Sequence, residues 1–226
     1  MIKEHSKNQK FAIIRELLKT IFGLFIFAFG VYLTMCADIG LAPWDVLSVG
    51  VTNHTPLSYG NVLTIMGILI LIIDLLMGEK IGLGTLLDAL LVGNFVDMFN
   101  SLNIITYKFN IIWAIVVFII GMFIMALGQL VYMSAAQGCG PRDQMLIGIG
   151  KRMRKVPIGL VNILILIVVL ISGWLLGGPV GFGTVLATFG IGITLQIVCR
   201  IFHFEPRDVE HKDIIKTFKM LLQKRG

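Results

Sequence analysis

The chain has 226 residues, of which 57% are hydrophobic and 14% charged, with a net charge of +6 and a mean hydropathy of +0.91. An ordinary soluble domain is about 45–50% apolar and about 25% charged, so the composition excludes a water-soluble globule and points to an integral membrane protein. Its positive charge gathers in the hydrophilic ends and loops, which makes it a membrane-topology signal and no argument for a nucleic-acid partner.

In chain order, residues 1–17 form a basic segment, and apolar runs then follow at about 18–35, 59–77, 83–99, 111–133, 156–176 and 182–201. Each approaches the roughly 20 residues that a helix needs to cross the hydrocarbon core. Strand-like alternation is absent, and backbone groups in lipid must be satisfied internally, so helices are expected. Residues 43–55 and 141–155 are too short and too interrupted to span. After 201 the chain ends in a basic amphipathic tail, 202–226. Ile214, Ile215, Phe218, Leu221 and Leu222 recur there at helical spacing among lysines, a pattern suited to the anionic inner leaflet.

With six spans, every lysine and arginine except Lys108 falls on one face, including the 141–155 cluster of Arg142, Lys151, Arg152, Arg154 and Lys155. The positive-inside rule makes that face cytoplasmic, with both termini inside. The 101–110 connector is then external.

The chain repeats itself. "GLAPWD" (Gly40–Asp45) follows the first span, and "GCGPRD" (Gly138–Asp143) follows the fourth, 98 residues on. In the same ungapped register Gly23, Gly30, Met35, Ala37 and Gly50 match Gly121, Gly128, Met133, Ala135 and Gly148. Small changes of register align Asn61 with Asn162, and "GLGT" (Gly82–Thr85) with "GFGT" (Gly181–Thr184). Residues 18–100 and 111–201 therefore read as two copies of one three-helix unit. Three is odd, so the copies enter the membrane from opposite sides, as in inverted-repeat transporters. The expected fold is an all-α polytopic membrane protein: six transmembrane helices in two inverted three-helix repeats, each with a short interfacial or re-entrant helix after its first span.

The repeated break has a local cause. Gly40 and Gly138 permit backbone that ends a helix, and Pro43 and Pro141 suit the first turn of a new one, where no amide hydrogen is needed. Asp45 and Asp143 fall in that first turn, where a carboxylate complements the helix dipole and can accept from a free amide. Two readings fit. The segments are interfacial connectors with the aspartate as a cap, or they are re-entrant elements whose helix starts line a solute path. Trp44 and Arg142 occupy the same position in the two copies and belong to the same candidate path.

Among the other polar residues, Asp88 lies nearly two turns into the third span and is either an intramembrane proton or cation site or shallow enough to pair with Lys80. Asp74 and Asp97 lie near helix ends and are expected to be solvated. Asn61 and Asn162 recur symmetrically, as interhelical hydrogen-bonding groups or solute contacts. The cysteines and histidines form no metal or catalytic cluster, and no phosphate- or dinucleotide-binding loop is present. No cofactor and no enzymatic activity is expected.

"ADIGLAPWDVLSVG" (Ala37–Gly50), "SYGNV" (Ser58–Val62) and "AAQGCGPRDQMLIG" (Ala135–Gly148) resemble the YczE/YyaS/YitT group of bacterial membrane proteins, over about residues 15–200. The resemblance implies a multi-pass protein of the bacterial inner membrane and brings no activity with it. The residues themselves favour a transporter or channel for a small solute. The alternative is a non-transporting membrane component, such as an assembly or regulatory partner or the substrate-binding subunit of a larger uptake complex. The expected partners are the lipid bilayer, an unidentified small solute and, as an open case, further copies of the chain in a homo-oligomer.

Overall fold

Where the first apolar run ends, Asp38 and Gly40 adopt positive φ (51° and 104°), and at the end of the fourth run Ala136 and Gly138 do the same (57° and 125°). These turns divide a computed structural model that describes residues 2–205, with side chains from residue 11 onward. Among the described residues it is helical throughout: α1 (Ile2–Cys36), α2 (Pro43–Thr52), α3 (Tyr59–Leu76), α4 (Leu83–Leu102), α5 (Ile111–Met133), α6 (Pro141–Arg152), α7 (Ile158–Leu175) and α8 (Phe182–Ile201). α2 and α6 each begin with proline after an extended residue, Ala42 and Gly140. Ser58 caps α3 by accepting from the Asn61 amide, and Asn110 caps α5 by accepting from that of Trp113.

Helix α1 extends well beyond the expected start at residue 18, running through the basic segment as one continuous helix. Among the described residues, five stretches are long and apolar enough to cross a membrane: Phe11–Cys36 and helices α3, α5, α7 and α8. They make this a multi-pass integral membrane protein. α4 has the length but carries Asp88, Asn94, Asp97 and Asn100. The outward faces are lined with isoleucine and leucine, most evidently on α7, where Ile163, Leu164, Ile167, Val168 and Ile171 are exposed. The amphipathic tail expected beyond residue 205 lies outside the described residues.

The centre is the crossing of α1 and α5. Gly23 lies against the Gly128 carbonyl and Tyr132, and Gly30 lies against the Gly121 carbonyl and Met125. No Cβ fits at any of the four glycines, so the two backbones approach as closely as helices can. α4 packs beside α1, and α8 beside α5. α2 packs on α7 and α3, while α6 packs on α3 and α7. One contact lacks a counterpart: α3 lies tightly on α4, whereas α7 and α8 have no comparable contact. Phe25, Phe29, Tyr32, Phe95 and Phe99 form an aromatic cluster between α1 and α4. The Tyr32 hydroxyl accepts from the Ile105 amide at 3.0 Å, which ties the 103–110 connector to it.

Candidate functional site

Each break docks on the start of the last helix in the other half. The Gly183 amide donates to the Ile39 carbonyl at 2.7 Å, and the Gly84 amide donates to the Gln137 carbonyl at 2.7 Å. A methyl group at Gly40 would collide with Gly181, and one at Gly138 with Thr85. The glycines of "GLGT" and "GFGT" thus let the breaks lie directly on helix ends, and the amides left free at those ends find carbonyl partners.

The docking brings the first turns of α2 and α6 to one cavity of about 390 Å³, bounded also by α1, α3, α4, α5, α7 and α8. Its charged lining residues are Asp45, Asp88, Arg142 and Asp143. Trp44, Gln129, Tyr132 and Asn162 add polar or amphipathic surface, and Phe27, Val31, Leu63 and Val92 are among the apolar walls. Ala42 and Gly140, the capping positions of the two helices, have no side-chain acceptor, so the first-turn amides of both are left without a side-chain cap.

Arg142 reaches from one helix start to the other. Its guanidinium carbon lies 5.0 Å from the centroid of the Trp44 ring, and its Nη1 lies 3.8 Å from Asp45 Oδ1. Asp45 is buried and accepts a 3.0 Å hydrogen bond from the Tyr59 hydroxyl. The aspartate therefore serves the neighbouring helix and the arginine and leaves its own amides aside. Asp88 faces Gly140, where an added Cβ would lie 2.7 Å from Oδ2 and 3.4 Å from the Tyr132 hydroxyl. Asp88 does not pair with Lys80, and Asp143 shares the same wall of the cavity. Three carboxylates and one guanidinium thus share a space walled largely by apolar groups, where charges interact strongly. Among the described residues no cluster of histidine, cysteine or acidic side chains fits a metal ion.

Of the residues singled out from sequence, Trp44, Asp45, Asp88, Arg142, Asp143 and Asn162 meet at this cavity, with Pro43 and Pro141 at its rim. Gly40 and Gly138 form the docking contacts behind it. Asn61 does not join them: its side chain is exposed, and its amide serves the Ser58 cap. One expectation is corrected, that of a solvated Asp74. Asp74 is fully buried in α3, and neither of its carboxylate oxygens has a hydrogen-bond partner. Asp97 is half-buried and accepts from the Ser58 hydroxyl and, at 2.8 Å, from the Gly60 amide. Asp74 lies near a helix end, yet the packing of α6 over that end of α3 removes it from solvent. Tyr59 is an unanticipated member of the site, brought to Asp45 by the packing of α2 against the first turn of α3.

The family described as "Family of unknown function (DUF6198)" matches residues 14–200. The chain is similar to the "Uncharacterized membrane protein YczE" of Bacillus subtilis, 35% identical over 182 residues that cover 77% of this chain and 80% of the relative. An "Uncharacterized protein" of Haemophilus influenzae is 29% identical over 187 residues, covering 81% and 84% respectively. The "Uncharacterized protein YyaS" of Bacillus subtilis is 27% identical over 179 residues, covering 77% and 88%. No solved structure matches the chain significantly.

Proposed function

The chain belongs to the DUF6198 family, whose model matches residues 14–200, and from that premise and its membrane-spanning helices we propose that it is a small-solute transporter or channel of the bacterial inner membrane, built as two inverted repeats around the cavity. The reading takes α4 as the sixth span and both termini as cytoplasmic. The observation that carries it is the meeting of two repeat-equivalent helix starts, Pro43–Asp45 and Pro141–Asp143, at one cavity between the helices. Interrupted helices whose starts converge between repeats are a recurring way to form a solute site in transporters.

The paired contacts support the inverted repeat. α1·α4 corresponds to α5·α8, α2·α7 to α6·α3, and α2·α8 to α6·α4. The Gly23–Gly128 contact corresponds to Gly121–Gly30, and the Gly183–Ile39 hydrogen bond to Gly84–Gln137. In this reading α2 and α6 are re-entrant, entering from opposite faces. The protein acts as a carrier or pore, with no catalytic step.

Reconstitution of the purified protein in liposomes, with uptake of a panel of labelled small solutes, tests the reading. We expect saturable flux of at least one solute, reduced in both Asp45→Asn and Asp143→Asn while expression is retained. Flux that needs co-purified subunits would replace the reading with that of a membrane component. Normal flux in both variants would leave the two motifs a structural role alone.

A further inference from the structure

The charges of the cavity are unbalanced: Asp45, Asp88 and Asp143 line it with Arg142 as the one charged counterpart. Ionised carboxylates gathered in a cavity walled largely by apolar groups need cations or protons near them. Arg142 answers part of that need and shows what kind of group fits there. Its planar cation stands over the face of Trp44 and beside the buried Asp45 carboxylate, at 3.8 Å, a separation too long for a hydrogen bond. The guanidinium is thus held by charge and by the ring face, without a locking hydrogen bond to Asp45. Asp88 and Asp143, which also line the cavity, accept no hydrogen bond from the described residues, and Tyr132, Gln129 and Asn162 add neutral polar groups.

We propose that the cavity takes a small organic cation of the guanidinium or substituted-ammonium class, which displaces Arg142 from Trp44 and Asp45 and leaves its other polar end toward Asp88 and Asp143. Arg142 is the internal occupant that holds the site while no solute is bound. An aromatic face backed by a carboxylate is a recognised receptor for such cations. The two uncapped helix starts, which would favour an anion by themselves, are outweighed by the carboxylates that follow them. The proposal rests on the solute-path reading and names the substrate class of that site.

The test is binding, which does not require flux. Trp113 and Trp174 are exposed on the outer surface, so Trp113→Phe together with Trp174→Phe leaves Trp44 as the one fluorophore of the three tryptophans. The purified protein is titrated with methylguanidinium chloride and with tetramethylammonium chloride, and with sodium acetate at matched ionic strength. We expect a saturable change of Trp44 emission with the organic cations and none with acetate. In Arg142→Gln, removal of the internal competitor lowers the half-saturating methylguanidinium concentration about tenfold, the scale of one cation–π contact. Asp45→Asn raises it. Arg142→Lys keeps the charge but weakens the stacking, so it gives a smaller shift in the same direction if the glutamine variant does not fold. A saturable response to acetate that disappears in Arg142→Gln would overturn the proposal, as would the absence of any cation response in folded wild-type and variant protein. Cation binding without flux would sink the transport reading alone. Flux of an anionic or neutral solute without a cation response would sink this one alone.

Discussion

Arg142 stacks on Trp44 with its guanidinium carbon 5.0 Å from the ring centroid, and the two residues hold the same place in the two copies of the Gly-x-x-Pro-x-Asp element. A contact between repeat-equivalent residues lies where the two halves meet. A double-mutant cycle with Trp44→Ala and Arg142→Ala, read from unfolding in detergent, is expected to show a coupling of about 1 kcal/mol, since the pair is partly desolvated. Additive effects would make the contact incidental.

The α1–α5 crossing has no room for a side chain at Gly128, where a Cβ would strike the Phe27 backbone, whereas nothing lies within 4 Å of a Cβ at Gly159. Gly128→Ala should therefore destabilise by about 1–3 kcal/mol, the usual cost of overpacking. Gly159→Ala, in the outward-facing part of α7, should leave the thermal midpoint unchanged or raise it. Equal effects at the two positions would contradict the crossing.

Tyr59 donates to the buried Asp45 carboxylate. Tyr59→Phe removes that donor and leaves the acceptor in place, which costs about 1–3 kcal/mol for a buried group. Tyr107 is exposed in the connector, so Tyr107→Phe is expected to be silent in the same thermal assay.

Asp74 presents the opposite case. With no hydrogen-bond partner for either oxygen and no exposure, its carboxyl is a burden on the fold, and Asp74→Leu is expected to stabilise by about 2 kcal/mol. Four residues before the positive-φ Gly78, it matches Gly173, four before Gly177 in the second half. There the Leu47 backbone rests directly on the glycine. A loss of stability in Asp74→Leu would show that the carboxyl is held by a cation or proton network, and Asp74 would then join the functional groups.

The breaks were legible because glycine and proline carry backbone instructions of their own: Gly40 and Gly138 do end their turns in the left-handed region, and Pro43 and Pro141 do open helices. Asp88 was legible as a charge within an apolar run. The stacking of Arg142 on Trp44 was not, because it joins residues 98 positions apart through the packing of two halves, and side-chain direction across an interface leaves no local trace. The burial of Asp74 escapes the sequence for a related reason. Its position near a helix end suggests water, but the end of α3 is covered by α6, whose Arg152 donates to the Met77 carbonyl and whose Lys151 pairs with Glu79. The extension of α1 through the basic segment was hidden by its charges, which mark where a span leaves the membrane without marking where the helix stops.

The inverted arrangement of the two halves is tested most directly at the far ends of the short helices. Asn53 follows α2 and Lys151 lies in the last turn of α6, and both are exposed. With the native Cys36, Cys139 and Cys199 replaced by serine, the single-cysteine variants Asn53→Cys and Lys151→Cys are treated with a membrane-impermeant thiol reagent on intact cells and on inside-out vesicles. Inverted halves predict that the Asn53→Cys protein is labelled only in intact cells and the Lys151→Cys protein only in the inverted vesicles. Labelling of both variants from the same side would contradict that arrangement.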